Sequence, residues 1–597
     1  MNDTHTSSTE AGRQQETRGN QRRRRLLVGL IAFATVIALF YAEENWRGRR
    51  AWDDCKRELT AKGARLDWAY YIPPSVPEDQ NIFGVPEMSR WFVGRVATDL
   101  TARLTYPGYT NSERMVVAHI TLGLPAATPS PGAAVLPWKG ERSAQTDAAG
   151  LIVAALGPMT DDAATPCHFI RRNPGDVQAV RLFFRCDKLP TEAELAAWLT
   201  GVKGELGAEG PKLEPTGENS YRLTVVTPIK ASEFVSWGAR IEPELAIMRE
   251  AVKRPYARIP GNYENPYESP IPNFVSLRNT VQRLSSLAKC HLLLNQPEQA
   301  LEQLTLIHGL CGMLEARPTR RPLTLVAAMI HVAVKGLYVD TIKEGMRLHA
   351  WTEPQLAALQ RQLGDTNLRS CVAEAFSTEQ ASMIGAVEKT PKAELWKFFR
   401  LAEIVNGSGH ARPTGGMAGL VYGLIPQGWV DQNLASFARL EEVIKDSLDP
   451  KREDVEPRKI DAVGPTIEAA VARPTPYKFL AAIAIPNFVK ASSTMAYRHV
   501  QILEGQIACA LERYRLAHGE YPQTLDELTP GILAKVPQDP IGPQPFHYRR
   551  PDATKFTLYS VGWNEKDDGG GVSASTAGAG EMNRNDWVWQ SSGLPTP

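Results

Sequence analysis

The 597-residue sequence lacks most of the signatures from which an activity is read directly. It holds no H-E-x-x-H and no C-x-x-C, so neither common zinc-ligand spacing occurs. No G-x-S-x-G marks a nucleophile elbow. The glycine-rich stretch Gly407 to Gly423 (GSGHARPTGGMAGLVYG) has no G-K-[ST] ending and reads as a flexible loop, not a phosphate cradle. Formal net charge is +1, and no basic stripe is interleaved with aromatics, so neither nucleic acid nor nucleotide has support as a partner. Seven cysteines are too few for a disulfide scaffold, and the odd number leaves at least one unpaired.

Scattered polar residues do not repair these gaps. Cys290 with His291, and Cys167 with His168, are neighbours in sequence. On a helix, adjacent side chains point about 100° apart, so Cys290 and His291 read as a core cysteine and an edge histidine. His308 and His331 fall on predicted helices and read as bundle-edge residues. Glu43, Glu44, Asp53 and Asp54 read as solvated helical faces.

What is present begins with Leu26 to Ala42 (LLVGLIAFATVIALFYA), seventeen residues without a charge. As a helix this run is about 26 Å long, enough to cross a bilayer core at the short end of the range. Arg22, Arg23, Arg24 and Arg25 abut its N-terminal end, whereas Glu43 and Glu44 precede Arg47, Arg49 and Arg50 beyond it. The larger basic cluster predicts a signal anchor with its N-terminus inside. Residues 26–42 then contact lipid, in a bacterial cytoplasmic (inner) membrane, with the bulk periplasmic or extracytoplasmic. A cleaved signal peptide shares this charge order, but its small-x-small site, Ala32-Phe33-Ala34, lies inside the apolar run instead of after it.

The remainder predicts an α+β, multi-domain chain. Residues 1–21 are polar and predict a disordered tail; 22–45 are the anchor; 46–90 are a juxtamembrane helix (Trp46 to Lys62, capped by Gly63) and a proline-rich linker. Trp46 and Trp52 suit either the headgroup layer or helix packing. Residues 91–241 predict a mixed domain with strands at Val116 to Leu124, Leu151 to Leu156, Val180 to Cys186 and Tyr221 to Val226. A T-x-x-E capping box at Thr191 to Glu194 places a helix between the last two. Cys167 and Cys186, on neighbouring predicted strands, are either a disulfide or two free thiols.

Residues 242–475 predict a helical domain. Leu277, Val281, Leu284, Ala288 and Leu292 follow helical spacing, and Ala300, Leu301, Leu304 and Ile307 resume it after Asn295-Gln296-Pro297. This pair resembles a tetratricopeptide-type hairpin, without a second copy at that period. Thr352 to Gln355 predicts a further capped helix.

In the last part, residues 476–597, Ile507, Leu511, Tyr514 and Leu516 put an apolar face on a helix that Gly519 ends. Thr524 with Glu527 caps a short helix, and Phe546 to Arg549 with Phe556 to Val561 predict antiparallel strands. Trp587 and Trp589 alternate around Val588 as in a strand packed on a core.

Three segments here carry a resemblance: FLAAIAIPNFVKA (Phe479 to Ala491), ALERYRLAHGEYPQTLDELTPGILAKVPQDPIG (Ala510 to Gly542) and FTLYSVGWNEKDDGG (Phe556 to Gly570). The first resembles the distal part of a type IV pilin or pseudopilin N-terminal helix, and the other two resemble the globular domain of the major pseudopilin of type II secretion. The resemblance implies an α+β domain in contact with other proteins. It also implies a calcium ion held by Asp567, Asp568 and Asp586, with Asn564 a weaker ligand; read without it, Asp567 to Gly571 is a solvated turn. The chain departs from the family where a pseudopilin has its leader and long apolar helix. Phe479 to Ile485 is short, internal and preceded by Arg473 and Lys478, with no glycine cleavage site. That favours a retained module over a subunit processed into a pilus.

The order and lengths of the parts also resemble bacterial single-pass membrane-anchored proteins without an assigned activity. The sequence therefore predicts a membrane-anchored, non-enzymatic protein making protein-protein contacts in envelope organisation or secretion. An envelope hydrolase with a dispersed site, and a pilus-like structural subunit, are the alternatives.

Overall fold

The computed structural model describes residues 6–93, 100–105, 115–124, 152–158, 168–173, 176–184, 212–217, 220–266, 269–317, 319, 321–395, 423–448, 454–472, 477, 479–542, 544–570 and 585–590. The expected capping box at Thr191 to Glu194, the Cys167/Cys186 pair and most of the 407–423 loop lie outside these. The described chain is mostly helical, with three small antiparallel sheets.

Helix α1 runs without a break over Thr6–Ala61. The polar residues 6–21 thus extend the helix, a departure from the expected disordered tail; Glu, Arg and Gln are good helix formers and continue a helix already nucleated by the apolar run. The juxtamembrane segment is not a separate helix either. It ends at Gly63, whose φ of +91° suits a glycine cap.

Short helix α2 (Pro86–Phe92) leads into strands β1 (Leu100–Thr105), β2 (Met115–Leu124), β3 (Ile152–Pro158), β4 (His168–Asn173), β5 (Asp176–Phe184), β6 (Lys212–Gly217) and β7 (Ser220–Lys230). They form two sheets, ordered β1-β2-β7-β6 and β3-β5-β4. The four predicted strands are all present, but β5 and β7 lie in different sheets, so they are not the two arms of one strand-helix-strand unit.

Helices α3 (Ala231–Gly238), α4 (Glu242–Ala251), α5 (Phe274–Leu293), α6 (Pro297–Leu310), α7 (Leu325–Arg347), α8 (Glu353–Gly364) and α9 (Leu368–Lys389) follow. The α5/α6 hairpin turns where predicted: Asn295 takes φ +59° and Pro297 opens α6. Leu277, Val281, Leu284, Ala288 and Leu292 of α5 are buried, as are Ala300, Leu304 and Ile307 of α6. Thr352 and Gln355 form the predicted reciprocal capping box. Helix α7 is long and apolar enough to cross a membrane, yet 67% of its apolar window is buried, which marks it as a core helix.

Helices α10 (Gln427–Ser447), α11 (Pro457–Ala472) and α12 (Phe479–His518) complete the helical part. Strands β8 (His547–Asp552), β9 (Lys555–Ser560) and β10 (Trp587–Gln590) pair in the order β10-β9-β8. Gly519 ends α12 at φ +82°, and Thr524 and Glu527 make the predicted capping box. Val500, Ile502, Ile507, Ala508 and Leu511 bury α12 on several faces, not one. Its second neighbour is the helical region: Arg513 bonds Gln360 (3.0 Å), and Trp589 lies over Gly505.

Contacts divide the chain into two compact units that cut across the expected order of domains. One takes Met1–Tyr70, Gln380–Ser447 and Arg458–Lys490; the other takes Tyr71–Glu379, Leu448–Pro457 and Ala491–Pro597.

Candidate functional site

Within the first unit, α1 changes character along its length. Leu26, Leu30, Phe33, Val36 and Leu39 are exposed, whereas Glu44, Gly48, Trp52, Cys55 and Leu59 are buried. The buried stretch lies against α10. Its contacts ascend together, Asn45 with Gly428, Cys55 with Ala435 and Glu58 with Arg439, so the two helices run parallel.

Their closest approach is at Gly48 and Gly428. A Cβ on Gly48 would fall on the Cα and carbonyl of Gly428, and one on Gly428 would fall on the carbonyl of Glu44. Only glycine lets two backbones come this near.

Glu44 is 5% exposed, which corrects its reading as a solvated acid. Its Oε2 accepts the Trp429 indole N–H at 2.9 Å, and Oε1 pairs with Arg47 at 3.2 Å. Asn45 Oδ1 accepts the Gly428 N–H at 2.9 Å. Both polar side chains serve the N-terminal turn of α10, where backbone donors are unsatisfied and the helix dipole favours negative charge. Of the two tryptophans considered for the headgroup layer, Trp52 is buried and donates to Glu388 (3.0 Å), while Trp46 is 61% exposed.

In the second unit, Asp586, just before β10, meets the turn that holds Asp567 and Asp568. Asp586 accepts the backbone N–H groups of Asp568 (3.1 Å) and Gly570 (2.6 Å). Asp567 accepts from Gly569 N (2.8 Å) and the Tyr559 hydroxyl (3.2 Å), and these bonds hold its carboxyl below the usual range. Asn564 donates to Asp568 at 2.9 Å. The carboxylates thus act as acceptors that close the loop. Among the described residues no group of three or more His, Cys, Asp or Glu is placed to hold a metal ion.

Two of the segments that carry the resemblance also meet, through Asp539 and Ser560. Asp539 Oδ1 accepts the Ile541 N–H (2.9 Å) and the Ser560 hydroxyl (3.0 Å), and burial pushes its carboxyl up to about 7. Glu504 of α12, buried beside it, is raised too, first by desolvation.

A third arrangement was not visible in sequence. His331 of α7 places Nδ1 3.5 Å from Cys371 Sγ of α9 and Nε2 3.5 Å from Glu315 Oε1. Thiol, imidazole and carboxylate in that order are the parts of a thiol nucleophile. Burial decides its resting state. His331 is 1% exposed, not at a bundle edge, and its pKa falls well below the ordinary value through desolvation and then Lys335. Desolvation raises the Cys371 thiol, so the pair rests neutral. His308 meets Lys335 Nζ at 2.9 Å. Cys290 is buried and His291 partly so, its Nδ1 2.9 Å from Gln296 Oε1, and the two do not converge.

Sequence reasoning missed Gly48, Gly428, Trp429, Glu315 and Cys371. The one available signal was Gly48, since a glycine inside a long helix costs about 1 kcal/mol against alanine and asks for a packing reason. Comparison with family models, curated proteins and solved structures returns no match.

Proposed function

We propose that this chain is a single-pass membrane protein whose N-terminus is inside and whose mass lies outside the cytoplasm, where it makes protein-protein contacts as an envelope or secretion-associated scaffold. The observation that carries the reading is the division of α1 into an exposed apolar stretch and a buried continuation locked to α10. An exposed run of large apolar side chains is stable only against lipid or another apolar surface. Its length suits a bilayer, and the four arginines before it favour an inside N-terminus. The α5/α6 hairpin and the pseudopilin-like resemblance support contact with proteins. Fusions of alkaline phosphatase and of green fluorescent protein at residue 300 test the orientation. Phosphatase activity with dark fluorescence is expected, and fluorescence alone overturns it. Crosslinking in membranes should then recover protein partners.

The Cys371, His331 and Glu315 arrangement supports a second reading, an envelope thiol hydrolase. It requires the Sγ proton to pass to His331 Nδ1 while Glu315 holds the imidazolium. Iodoacetamide on the native chain discriminates. Alkylation of Cys371 ahead of buried Cys55, Cys290, Cys311 and Cys509 favours the enzyme, and labelling of these residues only on unfolding favours the scaffold.

A further inference from the structure

Resting on the anchor reading above, we propose that a second segment, the corner at residues 423–427 with Leu424 at its tip, enters the headgroup layer of the same bilayer and seats its unit on the membrane surface.

The corner is tied to the last turn of the exposed apolar run: the Tyr41 hydroxyl donates to the Leu424 carbonyl, and the Phe40 ring meets Trp429 edge-on at 6.3 Å. Leu424 therefore lies beside residues 40 and 41. Counting back to Leu26 along a helix gives about 21 Å, so this level is the edge of the hydrocarbon.

Side chains at this level suit the boundary. Leu424 is 61% exposed although its backbone is fixed. Trp46, equally exposed, lies about 9 Å further along α1 with the Arg50 guanidinium 5.6 Å from its ring centre. Arg47, Arg49 and Arg50 are exposed beside it, where lipid phosphates would meet them. Tyr477 extends the aromatic group, its ring 6.0 Å from Trp429. Aromatic rings with one polar end favour this layer.

The backbone is treated as it must be where water is scarce. Two successive carbonyls of the corner accept from side chains, Leu424 from Tyr41 and Ile425 from Lys392 Nζ at 3.1 Å. A solvated loop needs neither bond; near hydrocarbon an unsatisfied carbonyl is costly. The occupant of this surface is thus the lipid that surrounds α1, continuous with it.

The test uses the full chain in phosphatidylethanolamine and phosphatidylglycerol vesicles, with benzoylphenylalanine placed singly at 33, 424 or 60, all exposed positions. After irradiation, lipid adducts are counted by mass spectrometry. Position 424 should give lipid adducts within about threefold of position 33, and position 60 none. Lipid at 33 with only water-quenched probe, or a second copy of the chain, at 424 overturns this inference and leaves the anchor standing. Absence of lipid at 33 removes the anchor, and the inference with it.

Discussion

Gly48 of α1 and Gly428 of α10 meet backbone to backbone, with no room for a Cβ on either. This contact packs the buried stretch of α1 directly against α10. Gly48→Leu and Gly428→Leu should each force the helices apart and destabilise the protein by about 1–3 kcal/mol, the usual cost of overpacking. Gly29→Ala is the control, since among the described residues no other element lies within 4 Å of a Cβ there. Thermal midpoints of detergent-purified chains measure both. A midpoint unchanged in the leucine variants would show the contact to be slack.

Asp539 carries a pH dependence of definite sign. Its folded pKa, about 7, lies above the ordinary aspartate value of 3.8. Below the lower value both states hold the proton. Between the two, the folded state keeps a proton that the unfolded chain has released, so stability falls as pH rises toward 7. The loss is a few kcal/mol at most. Asp539→Asn preserves the acceptor for Ile541 and Ser560 and should flatten the slope, raising stability at pH 8 but not at pH 4. Urea midpoints across that range report it.

His499 slopes the opposite way. Burial and Arg369 lower its folded pKa to about 4 from 6.5, and its Nδ1 is enclosed with no hydrogen-bond partner among the described residues. As pH falls from 6.5 to 4 the unfolded chain takes up a proton that the folded ring refuses, and stability is lost. His499→Leu should remove that part of the acid limb. An acid limb identical to wild type would show that the ring charges without cost.

Asp586 closes its loop through two backbone N–H groups. Asp586→Ala should cost about 1.5–3 kcal/mol for each charge-assisted bond lost, in calcium or in chelator alike. Should added calcium raise the wild-type midpoint but not the variant's, the carboxylates hold a metal as well as the loop.

Much local structure was legible. Glycine caps at Gly63 and Gly519, the capping boxes at Thr352 and Thr524, and the turn at Asn295-Gln296-Pro297 depend on one or two residues and their neighbours, so sequence spacing carries them. Trp587 and Trp589 fall on a buried strand as their alternation requires. Glu44 was misread because a carboxylate on a charged helix faces water unless a partner arrives from elsewhere. That partner, Trp429, is 385 residues away in sequence.

By itself the sequence determined the apolar run, its length and the charges beside it, because those are properties of consecutive residues. Only the tertiary structure decided where that helix ceases to be exposed. The close glycine pair and the buried carboxylate at the start of α10 depend on two distant segments lying side by side, and the free energy of that meeting is written in neither segment alone.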